Sequence, residues 1–294
     1  MFKRILISTD FSEASSSAIG HGINLAWLCG AYVEVIHVVS SLEESLHMSI
    51  LDSGSQIKWK ARLETYLDLA LPDEAYPGAK KSLLWGASIP GEILEHAVKE
   101  NFDLIVCGSH GRGLIRRALL GNITQELSRN SSIPVLVVPP IDRVRFSNGI
   151  DRILVPMDFS QPSLDALDFA IRLAEAFNSA IILLHSIYVP VFAETRNIYP
   201  ILMTVSADDE LKRDASARLK AILKVRTCPP KVEMEVKFGE PVAEISYYVE
   251  ENDCSCIIMG SHGRKGLERA ILGSVTTNVL ARTKVPVFTL APRF

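Results

Sequence analysis

Short apolar runs alternate with longer stretches of helical spacing along the whole chain, and the alternation predicts its elements. Ile5–Ser8 is rich in β-branched residues, is bounded by polar positions and reads as a buried strand. From Ser12 to Leu28 apolar residues recur at helical spacing (Ala18, Ile19, Ile23, Leu25, Ala26), with Ser12 and Glu13 as start signals. The same reading predicts strands at Val33–Val39, Lys81–Trp85, Leu104–Gly108 and Val135–Val138, and helices at Lys58–Leu71, Ile89–Glu100 and Asn122–Arg129. Strands without polar alternation, each followed by an amphipathic helix, belong to a parallel sheet covered on both faces, with right-handed crossovers. In such sheets ligands sit beyond the carboxyl ends of the strands, where the strand order reverses.

The pattern then repeats. Arg4-Ile5-Leu6-Ile7-Ser8-Thr9-Asp10-Phe11-Ser12 returns 148 residues later as Arg152-Ile153-Leu154-Val155-Pro156-Met157-Asp158-Phe159-Ser160. Gly108-Ser109-His110-Gly111-Arg112 returns 152 residues later as Gly260-Ser261-His262-Gly263-Arg264, and Ile133-Pro134-Val135 returns as Val285-Pro286-Val287. Matches in the same order over the full length mean duplication. The expected domains are residues 1–140 and 150–294, joined by a linker at 141–149 that is polar and carries Pro and Gly at its margins. The last strands, Val135–Val138 and Val285–Leu290, are each expected at a sheet edge, and edges seek partners.

Composition narrows the function. A net charge of −3 and a pI near 6.2 leave no electrostatic footprint for nucleic acid, despite local basic spots at Arg112, Arg116 and Arg117. No apolar stretch approaches a membrane span, and no signal peptide precedes the first strand, so the expected location is cytoplasmic. Five cysteines without framework spacing read as reduced thiols, with Cys254 and Cys256 as strand residues rather than a metal or redox pair.

The chemistry gathers at the strand ends. In the second copy Gly260 and Gly263 follow a strand-like run, and Gly273-Ser274 opens a helix whose free N–H groups and positive dipole end suit a phosphate. The hydroxyls of Ser274 and Thr276 are expected to add donors, and Asp158 ends the first strand beside the same switch point. Ser274 reads equally well as a plain helix cap. His110 and His262 read first as loop residues bonded to neighbouring backbone and second as a general acid or base beside a phosphate; Arg264, Lys265 and Arg269 read either as phosphate contacts or as a solvated basic helix face. Neither a P-loop nor a Gly-x-Gly-x-x-Gly fingerprint is present.

Gly260, Gly263, Gly273 and Ser274 fit the spacing Gly, two residues, Gly, nine residues, Gly-Ser/Thr, and Pro156-Met157-Asp158 supplies a Pro-x-Asp. On these motifs the chain resembles the universal stress protein family in its tandem form, over nearly its whole length. The resemblance implies two tandem, doubly wound, five-stranded parallel-sheet α/β domains of the adenine nucleotide alpha hydrolase-like type. It implies ATP or AMP as ligand, with Mg²⁺ as an accompaniment of ATP. The base is expected near Pro156, Asp158, Met259 and the second strand's end (His185, Ser186, Ile187). The phosphates are expected on the main chain of Gly263, Gly273, Ser274 and Val275, with Gly260, Arg264 and Thr276 alongside. The corresponding positions of the first copy are Asp10, Val38, Gly108, Gly111, Gly121, Asn122 and Ile123. Asn122 stands there in place of Ser274, with Thr124 as the remaining hydroxyl, and Ser8 stands in place of Pro156, so the second copy is the more complete site. The family pairs such domains through sheet edges, which implies an internal pseudo-dimer and leaves a homodimer open. A regulatory nucleotide-binding module is the first reading; a weak ATPase or phosphoryl-transfer enzyme and a scaffold with empty crevices are the alternatives.

Overall fold

The computed structural model describes residues 1–42, 44–45, 53–111, 120–141, 144–188, 205–226, 231–261 and 272–291. Each half of the chain contributes five strands. In the first half these are β1 (Arg4–Ser8), β2 (Tyr32–Ser40), β3 (Lys80–Gly86), β4 (Leu104–Gly108) and β5 (Val135–Val138). Helices α1 (Glu13–Cys29), α2 (Ser53–Ala70), α3 (Ile89–Lys99) and α4 (Asn122–Asn130) connect them. The second half repeats the series as β6 (Arg152–Pro156), α5 (Gln161–Phe177), β7 (Ala180–Ile187), α6 (Val205–Lys224), β8 (Val232–Phe238), α7 (Pro241–Glu251), β9 (Cys256–Gly260), α8 (Ser274–Arg282) and β10 (Val287–Leu290).

Local signals place the helix ends. Ser12 and Ser160 cap α1 and α5, each accepting an N–H from the residue three positions on. Gly30 (φ 64°) and Asn178 (φ 55°) end those helices in the left-handed region. Asp103 accepts the Lys3 and Arg4 amides at the foot of β1, and Ser255, at the equivalent position, accepts those of Asp151 and Arg152.

All strands within a half are parallel, and the order is β3-β2-β1-β4-β5-β10-β9-β6-β7-β8. The two five-stranded sheets are fused into one of ten strands. The join is antiparallel, with Phe288 opposite Leu136 and Val287 opposite Val137. β5 and β10 therefore lie at the centre of the sheet, and the strands at its margins are β3 and β8. In each half the order reverses between the first and fourth strands, β1/β4 and β6/β9.

Two apolar layers cover the sheet. One contains Ile5, Ile7, Leu136 and Phe288 beneath α1, α2, α5 and α6; the other contains Leu6, Ile105, Val137 and Val287 beneath α3, α4, α7 and α8. At the centre of the first layer the ring of Phe288 is fully buried, with ring centroids of Phe2 at 6.2 Å, Phe169 at 5.7 Å and Phe146 at 6.5 Å. Among the described residues no helix is long and apolar enough to cross a membrane. Cys107 on β4 and Cys256 on β9 are buried free thiols, and Cys254, expected on the strand, is buried two residues before it; burial pushes Cys107 up to about 12 and Cys254 up to about 11. Cys228 lies outside the described residues.

Candidate functional site

The carboxyl end of each first strand leads into the same turn. Asp10 Oδ1 accepts the Ser12 amide (3.1 Å) and hydroxyl (2.6 Å); Asp158 Oδ1 accepts the Ser160 amide at 3.0 Å and its hydroxyl. Between carboxylate and serine, Phe11 (φ 63°) and Phe159 (φ 65°) sit in the left-handed region, where a bulky residue costs about 1–3 kcal/mol. Each ring lies against a histidine of the second strand: Phe11 and His37 are 4.5 Å apart, Phe159 and His185 4.6 Å. Those histidines are 2.7 Å from the carbonyls of Thr9 and Met157 through Nδ1, so that nitrogen carries the proton. Duplicate construction in both halves fixes the carboxylates at the switch points. The repeated Asp-Phe-Ser was the visible signal; the strained phenylalanine between its polar partners was not.

The glycine loops close on the same points. The Gly121 amide donates to the Ser109 carbonyl at 3.0 Å, and the Gly273 amide to the Ser261 carbonyl at 2.8 Å. These bonds set the start of α4 beside the end of β4, and the start of α8 beside the end of β9. The Gly273 N–H, expected on a phosphate, is bonded here within its own loop. Gly121 and Gly273 are the caps, with no side-chain hydrogen bond, so Asn122 and Ser274 are not caps but exposed first helical residues. Among the described residues, no side chain caps the first-turn N–H groups of either helix. A Cβ built at Gly111 would lie 3.0 Å from Asp10 Oδ2, so the second oxygen of that carboxylate faces the loop.

Several residues of the expected site also make contacts within the framework. The Thr276 hydroxyl is buried and donates to the Gly260 carbonyl (2.9 Å), as Thr124 does to Gly108 (2.7 Å). The Ser186 hydroxyl donates to the Gly239 carbonyl at 2.6 Å. Gly108 and Gly260 answer to packing: a Cβ on Gly108 would meet the Ala14 and Ser15 backbone at 2.8–2.9 Å, and one on Gly260 the Pro162 backbone at 2.8 Å. Met259 and Val38 are 5% exposed and belong to the apolar layer under α7 and α3, with Val275 and Ile123 half-buried at its edge. Pro156 ends β6 opposite Leu184. His110 bonds the Ser109 hydroxyl (2.7 Å), not backbone, and burial lowers its pKa. His262, Gly263, Arg264, Lys265 and Arg269 lie outside the described residues, as do Arg112, Arg116 and Arg117.

Comparison with known proteins follows the same duplication. The model of the universal stress protein family matches twice, at residues 1–139 and 149–290. A universal stress protein of Mycolicibacterium smegmatis is 25% identical over 308 aligned residues, covering 98% of this chain and 97% of its own. One from Methanocaldococcus jannaschii is 34% identical over 148 residues, covering 47% of this chain and 82% of its own. The crystal structure of a universal stress protein from Archaeoglobus fulgidus superimposes with a TM-score of 0.64 at 20% identity, covering 98% of both chains. With two family matches, full-length relatives and the same tandem fold, this chain belongs to the universal stress protein family.

Proposed function

We propose that the chain is a stress-response regulatory protein that binds an adenine nucleotide, ATP or AMP, between β1 and β4 and between β6 and β9. The observation that carries the reading is a carboxylate and an uncapped helix N-terminus converging on one switch point. Asp10 Oδ2 faces Gly111, while Gly121, bonded to Ser109, opens α4 without a side-chain acceptor. An ionised carboxylate accepts from ribose hydroxyls, and first-turn N–H groups with the helix dipole favour a phosphate. Asp158, Gly273 and the exposed Ser274 repeat the set, and the Ser274 hydroxyl makes the second crevice the tighter site. Gly263 and Arg264 belong to this reading as loop contacts, and Mg²⁺ enters it only with the phosphates of ATP. On the same reading residues 1–140 and 150–294 are two domains joined by 141–149, an internal pseudo-dimer of a cytoplasmic protein.

Calorimetry with ATP and AMP on the wild type, Asp10→Ala, Asp158→Ala and the double variant tests it. Two sites per chain are expected, each single variant losing one. No binding at about millimolar ligand overturns the proposal, because a working regulatory site lies well above that affinity. Turnover of labelled ATP, lost in Asp158→Ala while binding survives, would convert the reading to phosphoryl transfer.

A further inference from the structure

The segment between β5 and β6 is held to the first half by a histidine. His21, fully buried in α1, spends both ring nitrogens on backbone groups: Nδ1 is 2.8 Å from the Ser17 carbonyl, and Nε2 is 3.0 Å from the Arg145 amide nitrogen. An amide N–H only donates, so Nε2 offers its lone pair, Nδ1 carries the proton and the ring is neutral. One turn earlier the Ser17 hydroxyl donates to the Ile141 carbonyl and accepts the Ile141 amide, both at 3.2 Å. Phe146 follows, its fully buried ring edge-on to His21 at 5.4 Å and stacked on Phe288 at 6.5 Å. The Arg145 guanidinium reaches the second half and pairs with Asp253.

The duplication shows that the histidine is not a requirement of the helix. The residue 148 positions on is Phe169 of α5, which packs against Phe2 and Phe288. A titratable ring therefore occupies the position only in the helix that the segment crosses, where a backbone N–H needs an acceptor. We propose that His21 is a proton-responsive clasp: its neutral ring holds residues 144–146 on α1, and protonation releases them, loosening the junction between the halves.

The chemistry gives the sign. Burial lowers the pKa of His21, the Ser17 carbonyl raises it and the Arg145 charge lowers it again, leaving it below the ordinary histidine value. Arg145 is the charged group facing the ring from the segment, and its own guanidinium is engaged by Asp253. A folded-state pKa below the unfolded one means that the clasp is complete above about pH 6.5 and is lost as pH falls from there through the folded value.

Hydrogen exchange of the Arg145 amide, corrected for intrinsic rate, reads the clasp in the full-length protein, with His21→Gln as the non-titrating acceptor. Between about pH 8 and about pH 5 the wild-type amide is expected to exchange about tenfold faster, the scale of one lost buried hydrogen bond. In His21→Gln the corrected rate is expected to stay flat. Protection unchanged while the His21 ring protonates, or the same pH response in His21→Gln, overturns the proposal. Should that variant not fold, the ring ¹⁵N shifts of the wild type decide: the Nδ1–H tautomer, with Arg145 opening on its protonation, supports the clasp, and the Nε2–H tautomer refutes it.

Discussion

Phe288 is where the two halves are joined, and truncating it tests whether they stand alone. The ring is fully buried on β10, opposite Leu136 of β5, with three aromatic neighbours within 6.5 Å. Phe288→Ala is expected to cost about 4–5 kcal/mol, the upper part of the range for a buried phenylalanine, because ring pairs contribute about 0.5–1.5 kcal/mol each beyond buried area. Phe288→Leu, which copies its partner Leu136, keeps most of the apolar volume and forfeits only the ring pairs, about 2 kcal/mol. Urea unfolding measures both. All three tryptophans (Trp27, Trp59, Trp85) lie in the first half, so fluorescence follows that half while circular dichroism follows the whole sheet. The two transitions are expected to coincide in the wild type and to separate in Phe288→Ala, with the midpoint lowered. A loss below about 1 kcal/mol, or coincident transitions at an unchanged midpoint, refutes the idea that this ring cluster couples the halves.

Gly260→Ala puts a Cβ 2.8 Å from the Pro162 backbone and is expected to cost about 2–3 kcal/mol, whereas Gly20→Ala, 3.4 Å from the Val144 side chain, should be neutral or gain up to about 1 kcal/mol from helix propensity; thermal melts separate them. Glu34, 1% exposed, accepts Ser82 (2.7 Å) and lies 3.1 Å from Lys80 and 3.3 Å from His96. Burial raises its pKa, but the Ser82 and Lys80 hydrogen bonds and the His96 and Lys80 charges outweigh it, so the carboxyl ends below the ordinary glutamate value. Its contribution is therefore present above the unfolded pKa and is lost as pH falls through the folded one. Glu34→Gln is expected to cost about 1.5–3 kcal/mol at neutral pH and progressively less below about pH 4, and a difference independent of pH would contradict this. Alkylation of native protein near neutral pH should leave Cys107, Cys254 and Cys256 unmodified, since burial raises all three thiols; labelling of any of them before unfolding, read by peptide mass, would show that the strand ends are open.

The strands were legible because they are continuous apolar runs that occur twice, and a motif seen at two places 148–152 residues apart guards against misreading either. The switch-point carboxylates were legible for the same reason. Less legible were the framework contacts of the small polar groups. Whether the Thr276 hydroxyl faces a phosphate or the Gly260 carbonyl depends on how closely a helix approaches a strand, and spacing along the chain carries no information about that approach. The close approach of Pro162 to Gly260 was equally invisible in the spacing. His21 gave only a polar letter on an apolar helix face; its meaning comes from a segment 124 residues away.

The antiparallel join of β5 to β10 sets the two halves head to tail. Every strand of one half runs against every strand of the other, so the two switch points open at opposite poles of the sheet. Asp10 and Asp158, at the ends of β1 and β6, therefore stand at opposite ends of the sheet. The duplicated Asp-Phe-Ser turn thus occurs once at each pole, not twice on one face. Between the poles lie the paired strands β5 and β10 and the ring cluster of Phe2, Phe146, Phe169 and Phe288.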